Sequence, residues 1–216
     1  MPMTVHRKRR SDHTKNGKSE PVWDIARFYP LQGNWTEEDY FALEATSGNW
    51  LIELNGGCLE FPPMPDPFHQ DIVDFLFSAL KAFLKDRDFG RAYFAPLPIR
   101  LWPGQIREPD IAVLAYHRIK NKRKAPDGAD LAVEIVSPGE ESRERDLDTK
   151  RREYAKAGIR EYWIVDPEEG TITVLTLSGK SYKVHGVFTE GDDATSKLLK
   201  GFKVAVSEVF ASGDAE

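Results

Sequence analysis

Asp130-Leu131-Ala132-Val133-Glu134-Ile135-Val136-Ser137-Pro138 reads as an apolar strand interrupted by one carboxylate. Strand alternation puts Leu131, Val133 and Ile135 on one face and Ala132, Glu134 and Val136 on the other. A carboxylate among such neighbours must be desolvated, paired or bound to a metal. A second stretch repeats the pattern: Arg107-Glu108-Pro109-Asp110-Ile111-Ala112-Val113-Leu114. Asp110 opens its strand, where an ion could enter from solvent.

Working outward, strands are expected at about 92–101, 110–115 and 130–136, and a helix from about 141 to 157 with Gly158 as its left-handed terminus. Glu161–Asp166 reads as a buried strand, Asp166-Pro167-Glu168-Glu169-Gly170 as a turn, and Thr171–Leu177 as the next strand, with a further hairpin at Ser178-Gly179-Lys180. Upstream, Thr36-Glu37-Glu38-Asp39 has the form of a capping box and starts a short helix to about Ala45. Trp50–Leu54 and Cys58–Phe61 form strands around Asn55-Gly56-Gly57, whose residues accept positive φ. Asp66-Pro67 is a cap followed by proline at the first helical position. Ile72, Leu76, Ala79, Leu80, Phe83 and Leu84 then recur at helical spacing over about 67–86. Phe202, Val204, Val206, Val209 and Phe210 suit a last strand and short helix.

The chain has 216 residues, 40% apolar and 30% charged, which suits one α/β domain over 21–216. Residues 1–20 carry six Lys and Arg against two acids; this net +4 leaves −9 on the remainder of a chain whose total is −5. They read as a disordered basic arm. Trp23, Ile25, Phe28 and Tyr29 are scattered and suit loose packing on the domain. No apolar run approaches the roughly 18 residues of a membrane span. The lone Cys58 allows no internal disulfide and fits a reducing cytoplasm. Acidic bulk charge argues against broad adhesion to nucleic acid but permits a local contact.

Two carboxylates on neighbouring strands and a lysine sixteen residues beyond Glu134 are the parts of a phosphodiester-cutting site. Mg²⁺ or Mn²⁺ takes oxygen donors and few carboxylates, so Asp110, Glu134 and the carbonyl of Ile135 are the candidate ligands. Asp146, Lys150 and Tyr154 stand at i, i+4 and i+8, one helical stripe. Facing the strands, Lys150 could orient water or neutralise phosphate, and Tyr154 could bond phosphate or fix Lys150. The loop residues Arg118, Lys120, Lys122, Arg123 and Lys124, with Arg151 and Arg152, could hold a nucleic-acid backbone. Plainer readings stand beside these. Asp146 and Lys150 could be a surface ion pair, Asp110 a strand opener after Pro109, and the basic loop a solvated turn. His69 suits packing or capping better than ligation.

The ordered set of motifs resembles the Uma-type branch of restriction-endonuclease-like proteins in the PD-(D/E)XK nuclease superfamily. The resemblance runs over roughly residues 36–210, through Thr36-Glu37-Glu38-Asp39-Tyr40, Glu53-Leu54-Asn55-Gly56-Gly57, Pro67-Phe68-His69-Gln70-Asp71-Ile72, the two strand stretches, Asp146 with Lys150 and Tyr154, and Gly158–Pro167. It implies a mixed β-sheet flanked by helices, with Asp110 and Glu134 as catalytic metal ligands. The superfamily's usual lysine, two residues after the glutamate, is Val136 here; the resemblance implies that Lys150 replaces it. Glu53 would add a metal ligand or a hydrogen bond. Ala129-Asp130 stands where the family often has Pro-Asp.

The leading expectation is a Mg²⁺-dependent endonuclease acting on DNA, with RNA as the alternative substrate, working as a homodimer with one site per strand. The alternative class is an inactive nuclease fold that binds nucleic acid or protein. A third is a transposon-linked accessory protein acting on branched DNA or RNA.

Overall fold

The computed structural model describes residues 31–47 and 51–214. The expected basic arm, the apolar residues from Trp23 to Tyr29, and Trp50 lie outside the described residues.

Local signals set the first elements. The Thr36 hydroxyl accepts from the amide of Asp39 at 3.1 Å, and the Asp39 carboxylate accepts from the amide of Thr36 at 3.1 Å. This reciprocal cap opens helix α1 (Glu37–Ser47). Strands β1 (Glu53–Asn55) and β2 (Cys58–Glu60) pair with Asn55 opposite Cys58, so the turn is Gly56-Gly57, both at positive φ. The first strand is shorter than expected, since Leu51 and Ile52 stay outside it. Asp66 accepts from the amide of His69 at 2.9 Å and caps helix α2 (Pro67–Leu84), which turns Ile72, Val73, Leu76, Leu80 and Leu84 inward.

The segment expected as one strand over 92–101 is instead divided. It gives β3 (Gly90–Phe94) and β4 (Ile99–Trp102), followed by β5 (Gln105–Arg107). Pro96 and Pro98 lack amide donors and cannot continue a ladder. Pro103-Gly104 then turns the chain, with Gly104 at φ 80°. β5 and β4 join the first hairpin in a four-stranded sheet of order β2-β1-β5-β4.

The remaining strands are β6 (Ile111–Ala115), β7 (Leu131–Ile135), β8 (Glu161–Asp166), β9 (Thr171–Ser178) and β10 (Ser181–Phe188). They form a six-stranded sheet of order β10-β9-β8-β7-β6-β3. Only the β7–β8 pair in it is parallel. A parallel pair needs a crossover, and the helical segment 140–157 supplies it. That segment is α3 (Glu140–Glu144), a π-turn (Arg145–Thr149) and α4 (Lys150–Ala157), closed by Gly158 at φ 80°. The chain ends in β11 (Asp193–Thr195), β12 (Lys203–Ala205) and α5 (Val206–Gly213).

Strand alternation divides the core as expected. Leu131, Val133 and Ile135 pack with Ile111, Val113 and the inner face of α2, joined by α5. Ala132 and Val136 pack with Ala112, Leu114 and the α4 residues Tyr154 and Ala155. A third cluster places Tyr40 of α1 on Ile52 and on Leu54, Leu59 and Ile106 of the smaller sheet. Glu161, fully buried, accepts from Trp163 Nε1, the Ser196 hydroxyl and the amides of Lys197 and Leu198, which ties the C-terminal unit to the sheet. Both faces of the large sheet are therefore covered, and its open end beside Asp110 is where polar groups collect.

Gly90 sits where β3 crosses closest to β6: a Cβ there would stand 1.9 Å from the Leu114 carbonyl oxygen. The obstacle is backbone and cannot rotate away. Gly90→Ala should lower stability by about 1–3 kcal/mol or more in urea titration. An unchanged midpoint would show that β3 can separate from β6 at no cost.

Candidate metal centre

The β6–β7 register sets Ile111 opposite Val133, Ala112 opposite Ala132 and Val113 opposite Leu131. One further step brings Asp110 opposite Glu134, on the face covered by α4. The sequence distance of 24 residues thereby closes to a cross-strand pair. Asp110 Oδ2 accepts from the Ile135 amide at 2.7 Å and lies 3.2 Å from His69 Nε2. Val136 donates toward β8, to the Val165 carbonyl, so Ile135 turns its amide the other way, toward Asp110. In a strand, a residue's N–H and C=O project to the same side, and the Ile135 carbonyl follows.

Glu134 is held at both oxygens. Oε1 accepts from the Tyr154 hydroxyl at 2.5 Å, and Oε2 lies 2.9 Å from Lys150 Nζ. Lys150 is buried and also meets Asp146 at 3.5 Å and Glu53 at 3.6 Å. The expected stripe of Asp146, Lys150 and Tyr154 therefore faces inward, and the plain reading of a surface ion pair does not hold. Glu53 is fixed by the Arg107 guanidinium at 2.7 Å and by the Glu108 amide at 3.0 Å. Arg107 is fully buried and also pairs with Glu60 and Glu153, the latter on α4.

The electrostatics follow from burial and from an excess of acids. Burial, reinforced by Asp110, Asp146 and Glu53, pushes the Glu134 carboxyl up to about 8 against the pull of Lys150. Burial also raises Asp146. Glu53 moves the other way: burial would raise it, but Lys150 and Arg107 hold it below the usual carboxylate range. Burial would lower the Lys150 ammonium, yet Glu134, Glu53 and Asp146 raise it well above its ordinary value. Burial likewise opposes a charged His69, and the bond to Asp110 outweighs it.

Asp110, Glu134, Ile135, Asp146, Lys150 and His69 all line one cavity of about 260 Å³. His69 was expected to pack or cap. Its amide does take a cap, and its imidazole reaches Asp110 as well. The basic loop lies elsewhere. Residues 118–124 follow β6, at the opposite end from Asp110, about 16 Å along a five-residue strand. There Arg118 pairs with Asp130 at 3.0 Å, while Lys120, Lys122, Arg123 and Lys124 are exposed. Arg151 is half-buried and does not line the cavity. Two cavity or shell residues escaped the sequence reading: Arg145, which lines the cavity, and Arg107. Arg107 stands between Ile106 and Glu108 in a mixed polar stretch that gives no local sign of its burial.

The sequence profile of the Uma2 family, described as "Putative restriction endonuclease", matches residues 37–207. The chain belongs to the Uma2 family. Membership supports a nuclease as the general class. A crystal structure from Anabaena variabilis ATCC 29413, of a "putative nuclease belonging to DUF820", superposes with a TM-score of 0.66 at 21% identity, covering 83% of this chain and 99% of that one. This likeness places the Uma2 fold here among restriction-endonuclease-like folds. No functionally curated protein matches the sequence.

Nucleases of this fold generally use divalent metals, and the donor set suits one. Two carboxylates stand on one face, strand geometry turns the Ile135 carbonyl to the side of Asp110, and burial among acids raises the Glu134 carboxyl, an effect a cation would relieve. Among the described residues no three His, Cys, Asp or Glu side chains are gathered to hold an ion by themselves. An ion here would complete its shell with carbonyl, water or phosphate oxygens, as Mg²⁺ commonly does.

The raised Glu134 pKa has a stability consequence with a definite sign. The unfolded carboxyl releases its proton near 4.5, the folded one near 8. The stability that Glu134 contributes is therefore fullest below 4.5 and declines as pH rises toward 8, by up to about 1.4 kcal/mol per unit. His69, also raised, acts with the same sign. In EDTA, Glu134→Gln should flatten the urea-derived slope between pH 5 and 8; equal slopes in both proteins would refute a protonated Glu134. Arg107→Met removes the cation shared by Glu53, Glu60 and Glu153, leaving Glu53 only Lys150, and should cost about 3–5 kcal/mol. A loss below about 1 kcal/mol, the scale of exposed pairs, would mean the network is dispensable.

Proposed function

We propose that this Uma2 protein is a divalent-metal-dependent endonuclease that hydrolyses phosphodiester bonds in DNA. The observation carrying the reading is the pairing of Asp110 with Glu134 at the mouth of a cavity that also holds Lys150. Asp110, Glu134 and the Ile135 carbonyl would hold Mg²⁺ or Mn²⁺. Such an ion supplies a more acidic water and stabilises charge on phosphate.

The chain's own residues have separable tasks. His69 and the Ile135 amide both engage Asp110 Oδ2, which orients the carboxylate with Oδ1 toward an incoming ion. Tyr154 and Lys150 hold Glu134, and Glu53 with Asp146 keeps Lys150 in place. Lys150 stands close enough to the carboxylates to orient water bound there. Two copies would present one centre to each strand of a duplex. The basic loop would touch only backbone displaced from the cut.

One observation favours the second reading, a binding module without turnover. Both oxygens of Glu134 are taken by protein groups, so an ion must displace the Tyr154 hydroxyl or Lys150 to enter.

Incubation of plasmid, duplex and single-stranded DNA, and of RNA, with Mg²⁺ or Mn²⁺ separates the two. We expect cutting of DNA that EDTA abolishes, and a loss of at least about 100-fold in Asp110→Asn, Glu134→Gln and Lys150→Met. Calorimetry should show metal binding in the native protein and weaker binding in Asp110→Asn. Metal binding without cleavage of any substrate favours the binding module. Cleavage that survives both carboxylate substitutions moves the centre elsewhere.

A further inference from the structure

We infer that Arg145 is the anion receptor of this site, taking a non-bridging oxygen of the phosphate that the cavity accepts. The inference rests on the nuclease reading and adds to it the residue that meets the substrate.

The cavity is crowded with acids. Glu108, Asp110, Glu134 and Asp146 line it, and a phosphate diester entering it would be repelled without a cation free to receive it. Lys150 is not free. It is 4% exposed and enclosed by Glu134, Glu53 and Asp146. Arg107 lies behind the site, fully buried, with three carboxylate partners. Arg143, on the preceding turn, is bound to Asp166 at 2.8 Å and to Glu168 at 3.1 Å.

Arg145 differs from all of these. It lines the cavity, its side chain is only 20% exposed, and Nε lies 3.3 Å from Asp146 Oδ1. No other hydrogen bond reaches its guanidinium among the described residues. A guanidinium carries five N–H donors in a rigid fork, so the four on the terminal nitrogens stay open. They are not sealed from solvent, and an open fork at the wall of a cavity is suited to two oxygens of a phosphate.

The backbone explains how two successive residues serve one site. Arg145 opens the π-turn that spans Arg145–Thr149. π-turns interrupt α-helical spacing and recur at functional sites. Arg145 and Asp146 both line the cavity here, with Asp146 tethering the Arg145 fork at its base. Arg145 would thus approach the substrate from the crossover segment, while the carboxylates approach from the sheet.

The test uses the full chain as Arg145→Gln and Arg145→Lys. Labelled mixed-sequence oligonucleotides, single- and double-stranded, are titrated in Ca²⁺ and followed by anisotropy; cleavage is followed in Mn²⁺; Mn²⁺ affinity and melting temperature are measured in parallel. We expect Arg145→Gln to weaken oligonucleotide binding or cleavage by about 10- to 100-fold, the scale of a hydrogen bond to a charged group. Metal affinity and melting temperature should hold. Arg145→Lys should recover only part of the loss, since an ammonium lacks the fork. Unchanged binding and cleavage in Arg145→Gln would overturn the inference, as would a loss matched by falling metal affinity and melting temperature in both variants, which would mark a charge-balancing role. A native protein that neither binds nor cuts any oligonucleotide would defeat the nuclease reading and this one with it.

Discussion

A single buried ammonium holds the site together. Lys150 lies among Glu134 of the six-stranded sheet, Glu53 of the four-stranded sheet and Asp146 of its own crossover segment. Desolvating a cation costs several kcal/mol, and only close partners with good geometry offset it. Three separate parts of the chain are therefore drawn to one point. Arg107 repeats the device one layer out, joining both strands of the first hairpin to α4 through Glu53, Glu60 and Glu153. Acids still outnumber bases around the cavity, and together with burial they raise the Glu134 carboxyl against the pull of Lys150. A buried cluster with an excess of acids is one that a metal cation would relieve.

Much of the frame was legible because its signals act over a few residues. The Thr36–Asp39 box, the Asn55–Cys58 turn, the Asp66 cap and the Gly158 terminus all form where their chemistry requires. The segment from Gly90 to Arg107 was less legible. Its aromatic and β-branched residues suit strand throughout, and hydrophobic pattern alone runs it together. Pro96, Pro98 and Pro103-Gly104 were the interruptions, and they outweigh the pattern by removing ladder donors and turning the chain.

The site divides along the same line. Asp110, Glu134 and Lys150 could be found because a carboxylate in an apolar strand is conspicuous, and a helix after a strand faces back onto it. Arg107 could not be placed, since its partners Glu53, Glu60 and Glu153 lie 46 to 54 residues away. Arg145 falls off the i, i+4 stripe that marks Asp146, Lys150 and Tyr154, and it opens a π-turn that the sequence does not announce. His69 shows how a local signal can conceal a distant one. The Asp66–Pro67 cap accounts for its amide so well that the contact of its imidazole with Asp110, on another element, leaves no mark in the sequence.

The arrangement separates three electrostatic tasks that a phosphate-handling site must reconcile. Carboxylates suited to a cation repel an anion, and a cation strong enough to attract the anion is apt to be captured by the carboxylates. Here Lys150 is captured, and its charge fixes Glu134 and Asp146. Arg107 is also captured, and it restrains Glu53. Arg145 escapes because Asp146, the acid nearest it, already faces Lys150, and because a guanidinium bound at Nε still has its outer fork to offer. An ion entering between Asp110 and Glu134 would relieve the acid excess, after which Arg145 and the ion would present positive charge from two sides of one cavity. On charge, such an ion would favour phosphate, and phosphate would favour the ion by the same factor.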